Sequence, residues 1–237
     1  MATRAARGFG QYSGVARAVE RVGERWALLI VRDLLGGARR YSDLKASLPR
    51  IPTNILSDRL KELQEAGVIR RVPTVRGGYE LTELGHGLEP VVAALERWGW
   101  AVLGEPGEAE TVSSDSLAFA LRAAFRPDVA ATLPPTEYVL HVAEVSLSAI
   151  VVGATLDVAP VGQGALPQPR RRSALEPVPQ TVLELTVAPA ALRDLLSGTD
   201  AARPRLDADP ELVDRFTRTF RIEPAAPTPG ALEVGVA

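Results

Sequence analysis

The sequence contains no cysteine and only two histidines among its 237 residues, and these shortages exclude or disfavour several kinds of chemistry. A chain without cysteine forms no disulfide, thiol nucleophile, thiol redox sensor or cysteine-ligated metal site. The two histidines, His86 and His141, lie far apart in the sequence. Their separation disfavours a histidine-rich metal site and a histidine-based catalytic triad. We therefore expect no metal, no cofactor and no enzyme activity.

Long apolar runs and nucleotide-binding loops are also lacking. No apolar run approaches the roughly 20 residues that span a bilayer. The opening residues, MATRAARGFGQYSG, are basic but have no apolar core or cleavage signal. The segment VGQGALP matches only part of a dinucleotide-binding glycine pattern, and no phosphate-binding loop or nucleophile elbow occurs. The sequence thus predicts a cytoplasmic protein with no membrane partner.

The charge is distributed unevenly along the chain. Residues 1–104 carry 16 basic and 11 acidic side chains, whereas residues 105–237 carry 11 basic and 18 acidic ones. A basic half beside an acidic half suggests that the first half meets a polyanion. Residues 104–115, GEPGEAETVSSD, are polar and have no apolar periodicity, which predicts a linker. Residues 223–237 are rich in Pro, Ala and Gly and are predicted to form a flexible tail.

The first half has the pattern of short helices followed by a hairpin. Apolar spacing predicts helices over 15–22, 24–35, 42–47 (capped by Ser42) and from a cap at Thr53 or Asn54 to Gly67. The fourth of these helices has a polar face formed by Asn54, Ser57, Asp58 and Lys61. Strands over 68–72 and 79–81 would flank a basic turn. This order is that of a winged helix-turn-helix, in which the second helix enters the DNA major groove.

A further helix, predicted over about 82–102, is apolar along one side and needs a partner. A second copy of the chain is the economical partner, because two-fold protein symmetry matches paired DNA half-sites. We therefore predict a homodimer held by the N-terminal helix and the 82–102 helix.

Four joined segments, VGERWALLIVRDLL, RRYSDLKASLP, NILSDRLKELQEAGVI and YELTELG, resemble the HxlR-type winged helix-turn-helix regulators, relatives of the MarR group. The resemblance covers about residues 12–100 and implies a dimeric DNA-binding regulator. Ser13 and Gly14 stand where the family usually has a Cys-Pro pair, so the thiol sensing of some members is not expected. The helix pattern and the resemblance together predict DNA contacts at Arg39, Arg40, Ser42, Thr53, Asn54, Ser57, Arg59, Lys61, Arg70 and Arg76.

The second half alternates between strand and helix patterns. Helices are predicted over 116–125, 189–196 and from Pro210, with strands over 137–145, 148–152, 155–159 and 181–187. Residues 181–220 resemble the C-terminal part of sterol-carrier-protein-type lipid-binding domains, which implies a tunnel for a small apolar ligand. The implied lining residues are Leu140, Val142, Leu183, Leu185, Leu195, Phe216 and Phe220. The same residues would form the core of any α+β domain, and composition does not separate the two.

The predicted fold class is α+β, with a mostly helical winged helix-turn-helix domain over 1–103 and a mixed sheet flanked by helices over 116–222. The predicted function is a sequence-specific, dimeric transcriptional regulator whose second domain senses a small apolar ligand. One alternative is a small-molecule-binding protein or enzyme that uses the winged-helix domain as a dimerisation scaffold. Another is an architectural DNA-binding protein whose second domain is a protein-interaction surface. The triplet Arg170–Arg172 fits either a solvated loop or an anion contact.

Overall fold

Two structural units make up the chain, Met1–Val92 and Ala93–Ala237. The structure is a computed structural model, and it describes residues 8–73, 78–161, 179, 181–198 and 209–223. No helix within these ranges is long and apolar enough to cross a membrane. The first unit contains α1 (Gly14–Val22), α2 (Ala27–Leu35), α3 (Tyr41–Ser47), α4 (Thr53–Glu65), β1 (Ile69–Val72), β2 (Gly78–Leu81) and α5 (Glu83–His86). The next helix, α6 (Glu89–Trp100), begins in the first unit and ends in the second.

Three predicted helix starts in the first unit are wrong by one to three residues. The second helix begins at Ala27 rather than Glu24, because Trp26 has a left-handed backbone with φ of +81°. The third begins at Tyr41, so Ser42 lies inside the helix, and the Asp43 carboxylate accepts the Arg40 N–H at 2.9 Å in place of a Ser42 cap. The fourth begins at Thr53 with Pro52 at the cap position, so neither Thr53 nor Asn54 caps it.

The core of the first unit joins α2, α3, α4 and the hairpin β1–β2. Its fully buried side chains include Ile30, Leu34, Leu44, Leu56 and Leu60. Burying each such side chain stabilises the fold by roughly 1.5–3 kcal/mol.

A buried carboxylate, Asp33, also holds α2 to α3. Its side chain accepts hydrogen bonds from the Ser47 hydroxyl at 2.5 Å and from the Arg32 guanidinium at 2.7 and 2.9 Å. A charge removed from water requires such partners, so this group fixes the angle at which α3 leaves α2.

The hairpin and α5 approach each other closely at Gly85. The Thr82 hydroxyl donates to the Gly67 carbonyl at 2.6 Å and accepts from the Gly85 N–H at 3.1 Å. A Cβ atom at Gly85 would lie 2.2 Å from the Val68 carbonyl oxygen. Only glycine therefore fits where α5 crosses the start of β1.

The second unit is a mixed sheet with helices. Its elements are α7 (Ser114–Ala124), α8 (Pro127–Ala130), β3 (Thr136–Val142), β4 (Val145–Val152), β5 (Thr155–Pro160), β6 (Thr181–Val187), α9 (Pro189–Ser197) and α10 (Pro210–Thr219). The strand order is β5-β4-β3-β6, in which β3 pairs parallel with β6 and the other pairs are antiparallel. The predicted mixed sheet is confirmed, although the kind of domain it belongs to is not.

The predicted strand over 137–145 is wrong at its end. Ala143 has φ of +51°, which turns the chain so that Val142 pairs with Val145 across a two-residue turn. Val145 therefore begins β4, and the predicted second strand starts three residues too late.

One face of the sheet packs on α7, α9 and α10. Along β3, Tyr138, Leu140 and Val142 are buried, and they alternate with residues that face the other way. The rings of Tyr138, Phe216 and Phe220 pack with centroids 5.1–5.5 Å apart. Burial raises the pKa of Tyr138, whose hydroxyl lies 3.4 Å from the Thr219 hydroxyl.

The end of α6 and the residues after it pack against α9 in the second unit. The Trp100 indole N–H donates to the Ser197 hydroxyl at 2.9 Å, and the Arg193 guanidinium pairs with Glu105 at 3.0 Å. The segment predicted as a linker, 104–115, lies wholly within this unit. The division into a DNA-binding domain, a linker and a ligand-binding domain stays a prediction.

Candidate nucleic-acid interface

The turn between α3 and α4 is held by a lysine and by apolar side chains beneath it. The Lys45 ammonium donates to the carbonyl oxygens of Pro49 and Ile51 at 3.0 and 2.6 Å. Leu48 and Ile51 are buried under the turn. These contacts fix the direction in which α4 leaves the turn, and this direction decides what the helix can present to a partner.

The face of α4 opposite its buried leucines is polar and exposed. We call the five residues of this face the α4 polar row: Thr53, Asn54, Ser57, Asp58 and Lys61. The Ser57 hydroxyl is engaged with the Thr53 carbonyl at 3.1 Å. The Asn54 amide makes no hydrogen bond to the parts of the chain that the structure describes. Its donor and acceptor groups are therefore available to an external partner.

The N-terminus of α4 lacks a side-chain cap. Pro52 occupies the cap position and offers no side-chain oxygen to the first amides of the helix. Unsatisfied N–H groups and the helix dipole make such an end favourable for an anion such as a phosphate. The Tyr41 hydroxyl donates to the Thr53 carbonyl at 2.8 Å and holds this end of the helix beside α3.

Two of the predicted DNA contacts have side chains that are largely buried within the first unit. Arg59 is 16% exposed and forms ion pairs with Glu62 and with Glu24, the latter at 3.4 Å. Arg39 is also buried, and its backbone pairs with Tyr79 in an isolated bridge that ties the start of α3 to the hairpin. Arg40, by contrast, is exposed. The assignment of these residues to DNA contact stays a prediction.

The hairpin carries two engaged arginines. Arg70 pairs with Glu80 at 2.7 Å, and Arg71 lies over the Tyr79 ring while donating to its hydroxyl at 3.2 Å. Arg76, the predicted contact at the hairpin tip, lies outside the described residues, as does the Arg170–Arg172 triplet.

Sequence reasoning missed two residues near α4. Arg50 is exposed in the turn before the helix and forms no ion pair with another described residue. Tyr41, noted above, orients the start of the helix. The sequence could have indicated Arg50, because it is a basic residue that follows Pro49 just before the predicted fourth helix.

The seven predicted ligand-lining residues all lie in one hydrophobic core. Each is at most 5% exposed, and the packed cluster that contains them also includes residues of α7 and α9. These residues are Leu140, Val142, Leu183, Leu185, Leu195, Phe216 and Phe220. Their role in binding a ligand stays a prediction.

The outer face of the sheet brings together three polar residues that sequence reasoning did not join. His141 lies between Ser146 and Glu184, with Nδ1 2.7 Å from the serine hydroxyl and Nε2 2.9 Å from the carboxylate. The sequence disfavoured a histidine-based triad because the two histidines lie far apart, but this group contains only one of them. The described residues contain no group of three or more potential metal ligands.

Comparisons with known proteins place the N-terminal part in a family. A family model described as HxlR-like helix-turn-helix matches residues 21–106. The chain is 41% identical over 86 residues to the uncharacterized HTH-type transcriptional regulator YvaP of Bacillus subtilis (strain 168), covering 35% of this chain and 80% of that one. It is 44% identical over 96 residues to the uncharacterized HTH-type transcriptional regulator Rv3095 of Mycobacterium tuberculosis (strain ATCC 25618 / H37Rv), covering 39% of this chain and 60% of that one.

A solved structure is also similar in sequence. The crystal structure of the HTH-type transcriptional regulator ytcD is 35% identical, with a TM-score of 0.36, and the match covers 38% of this chain and 96% of that one. The resemblance of the second half to sterol-carrier domains is not confirmed. The match to YvaP, which spans most of that relative, establishes that this chain belongs to the HxlR-like helix-turn-helix family.

Proposed function

We propose that this protein is a sequence-specific, dimeric DNA-binding transcriptional regulator. The α4 polar row is the observation that carries the proposal, because it combines an unengaged amide with an uncapped helix N-terminus on an exposed face. The names of the relatives, all HTH-type transcriptional regulators, support the same function. Nothing in those names points to catalysis.

In the proposed complex α4 enters the major groove. Asn54 donates to and accepts from an adenine edge, the pairing that an amide side chain makes best. Thr53 and Ser57 contact neighbouring base edges, while Lys61 and Arg50 neutralise phosphates. Arg40 and the hairpin arginines, Arg70 and Arg76, hold the flanking backbone.

Exposed apolar rows support the dimer. On α1, Val15 and Val19 face solvent together with Tyr12 just before the helix. On α6, Val91, Leu95 and Trp98 are exposed at spacings of four and three residues, so they lie on one side of the helix. Monomeric proteins rarely leave such rows uncovered. A two-fold contact in which each copy buries its α6 row against the other accounts for the exposure.

Regulation by a small apolar ligand is the second part of the proposal. The support for it is the size of the apolar core between the sheet and α10. The seven candidate residues are packed against one another, so a ligand would displace contacts of Phe216 and Phe220. It would act by preferring either the DNA-competent or the incompetent dimer.

Fluorescence anisotropy tests the DNA-binding proposal. The full-length protein is titrated against the promoter region beside its own coding sequence and against a random duplex, at several salt concentrations. We expect nanomolar, sequence-selective binding whose affinity falls steeply with salt. The Asn54→Ala variant is the matched control, since it should lose selectivity while keeping the weak binding to random DNA. Equal and weak binding of the native protein to promoter and random DNA would contradict the proposal.

A further inference from the structure

His141, Ser146 and Glu184 occupy neighbouring positions on the outer face of the second unit's sheet. Ser146 on β4 is the register partner of His141 on β3, and Glu184 lies one diagonal step away on β6, opposite Val139. Within each strand, the residues immediately before and after these three point into the core. The three side chains therefore extend to the same side, where 30% of the His141 side chain and 71% of the Glu184 side chain are exposed.

When Glu184 is ionised and His141 is neutral, the two hydrogen bonds have one direction of proton donation. An ionised carboxylate can only accept, so the His141 Nε2 carries the hydrogen that Glu184 accepts at 2.9 Å. In the neutral ring Nδ1 is then an acceptor, and the Ser146 hydroxyl donates to it at 2.7 Å. Glu184 thus holds the imidazole in the tautomer whose Nδ1 can take a proton from Ser146. An adjacent base of this kind activates a serine as a nucleophile.

We propose that Ser146 is a nucleophile activated by His141 and Glu184 and that it takes acyl groups from neutral esters. An oxygen lone pair of Ser146 attacks the acyl carbon while the hydroxyl proton passes to Nδ1 of His141. Glu184 stabilises the imidazolium through Nε2. The bond from the acyl carbon to the leaving oxygen then breaks, and that oxygen takes the proton from Nδ1. The products are an ester on Ser146 and the free alcohol.

The surroundings of the site select a neutral substrate with a small apolar acyl group. Val139 lies between His141 and Glu137 on the same face of β3, and Val182 is exposed on β6 beside Glu137. These side chains offer apolar surface for the acyl group. Glu184 and Glu137 lie on the same face and repel anionic esters.

Ser148 provides a matched comparison within the same strand. It lies two residues from Ser146 on the same face, but its hydroxyl donates to the Glu137 carboxylate at 2.6 Å. A carboxylate is a weaker base than an imidazole by roughly two pKa units in their ordinary ranges, so it activates a hydroxyl less. Ser148 therefore lies on the same face as Ser146 but lacks its base, and it is buried whereas Ser146 is half-buried.

Covalent labelling of the full-length protein with an alkyl fluorophosphonate tests the proposal. The serine oxygen attacks phosphorus, the phosphorus–fluorine bond breaks, and fluoride leaves while the proton passes to His141. Peptide mapping by mass spectrometry measures the rate at each serine. We expect Ser146 to be labelled well ahead of Ser148. The rate at Ser146 should fall about 100-fold in His141→Ala, in line with the loss of a general base, and by a smaller factor in Glu184→Gln.

Two results would overturn the proposal. The first is equal labelling of Ser146 and Ser148 in the native protein, which needs no variant and therefore no assumption about folding. The second is an unchanged rate at Ser146 in a His141→Ala protein whose circular dichroism matches the native one. The DNA-binding proposal does not enter either measurement.

Discussion

The α4 polar row of the first unit and the outer sheet face of the second unit are both polar sides of amphipathic elements, yet Asn54 on the first and His141 on the second are in opposite states. On α4, Asn54 finds no hydrogen-bond partner among the described residues. On the sheet, His141, Ser146 and Glu184 bond to one another, and Ser148 bonds to Glu137. Polar groups left unpaired at an ordered surface are suited to a partner that brings its own donors and acceptors. Groups already paired with one another are suited to transferring a proton between them.

The two faces also differ in what a substitution should change. Removing an unpaired side chain from α4 affects a complex and leaves the fold nearly untouched, since exposed positions usually change stability by less than about 0.5 kcal/mol. Removing a polar side chain from the outer sheet face breaks hydrogen bonds within the second unit.

In the proposed dimer two α4 rows act together, and Trp98→Asp should break that arrangement. Trp98 is 62% exposed on the α6 row. Buried interface tryptophans contribute about 2–4 kcal/mol each, and two-fold symmetry removes two at once. We expect dimer affinity to fall by about 4 kcal/mol or more, measured by sedimentation equilibrium. The matched control is Glu96→Gln on the neighbouring turn. A dimer of unchanged affinity in Trp98→Asp would remove α6 from the interface.

In the second unit, Phe216→Ala distinguishes a closed core from a ligand tunnel. Phe216 is fully buried against Tyr138 and Phe220. A packed core predicts a loss of about 3–5 kcal/mol in the free energy of unfolding by urea. Val182→Ala, on the exposed face of β6, should change it by less than about 0.5 kcal/mol. A loss below 1 kcal/mol for Phe216→Ala would indicate that the ring lines an open space rather than a core.

The two faces also differ in how far the sequence predicts them, because one is set by local spacing and the other by strand pairing. The α4 polar row was predictable because residues 54, 57, 58 and 61 share a helix face through local spacing alone. His141 and Glu184 are 43 positions apart, and they meet only because β3 and β6 pair in parallel. Strand order and register are set by packing, which no local pattern encodes.

Helix ends were likewise predictable only where the local sequence carries a signal. The predicted start of a helix near residue 82 is confirmed, because the Thr82 hydroxyl accepts the Gly85 N–H three residues on, although the helix predicted over 82–102 is divided into α5 and α6. The start of α2 was missed, since the left-handed backbone of Trp26 carries no compositional signal such as glycine. Two long-range contacts were concealed as well, because the Arg59 guanidinium pairs with Glu24 and the Arg39 backbone pairs with Tyr79, both distant in sequence.

Asn54→Ala tests whether the α4 polar row acts in binding rather than in folding. We expect the preference for one base pair in each half-site to relax, at about 1–3 kcal/mol, with the urea midpoint unchanged. Competition anisotropy with operators altered at single positions measures the effect. Lys61→Ala should instead weaken binding to all sequences alike. An Asn54→Ala protein that loses affinity equally on random DNA would assign this residue to the backbone.

We expect a smaller effect from Arg76→Ala, in the segment of sequence between β1 and β2. One phosphate contact contributes roughly one unit to the slope of log affinity against log salt, so the slope should fall by about that amount on every sequence. Arg70→Ala is the matched variant, because Arg70 is already paired with Glu80 at 2.7 Å and would exchange one ion pair for another. Its slope should therefore change less than that of Arg76→Ala. Equal slopes for native protein and Arg76→Ala would remove Arg76 from the interface and leave the phosphate contacts of the first unit to Arg40, Arg50, Lys61 and Arg70.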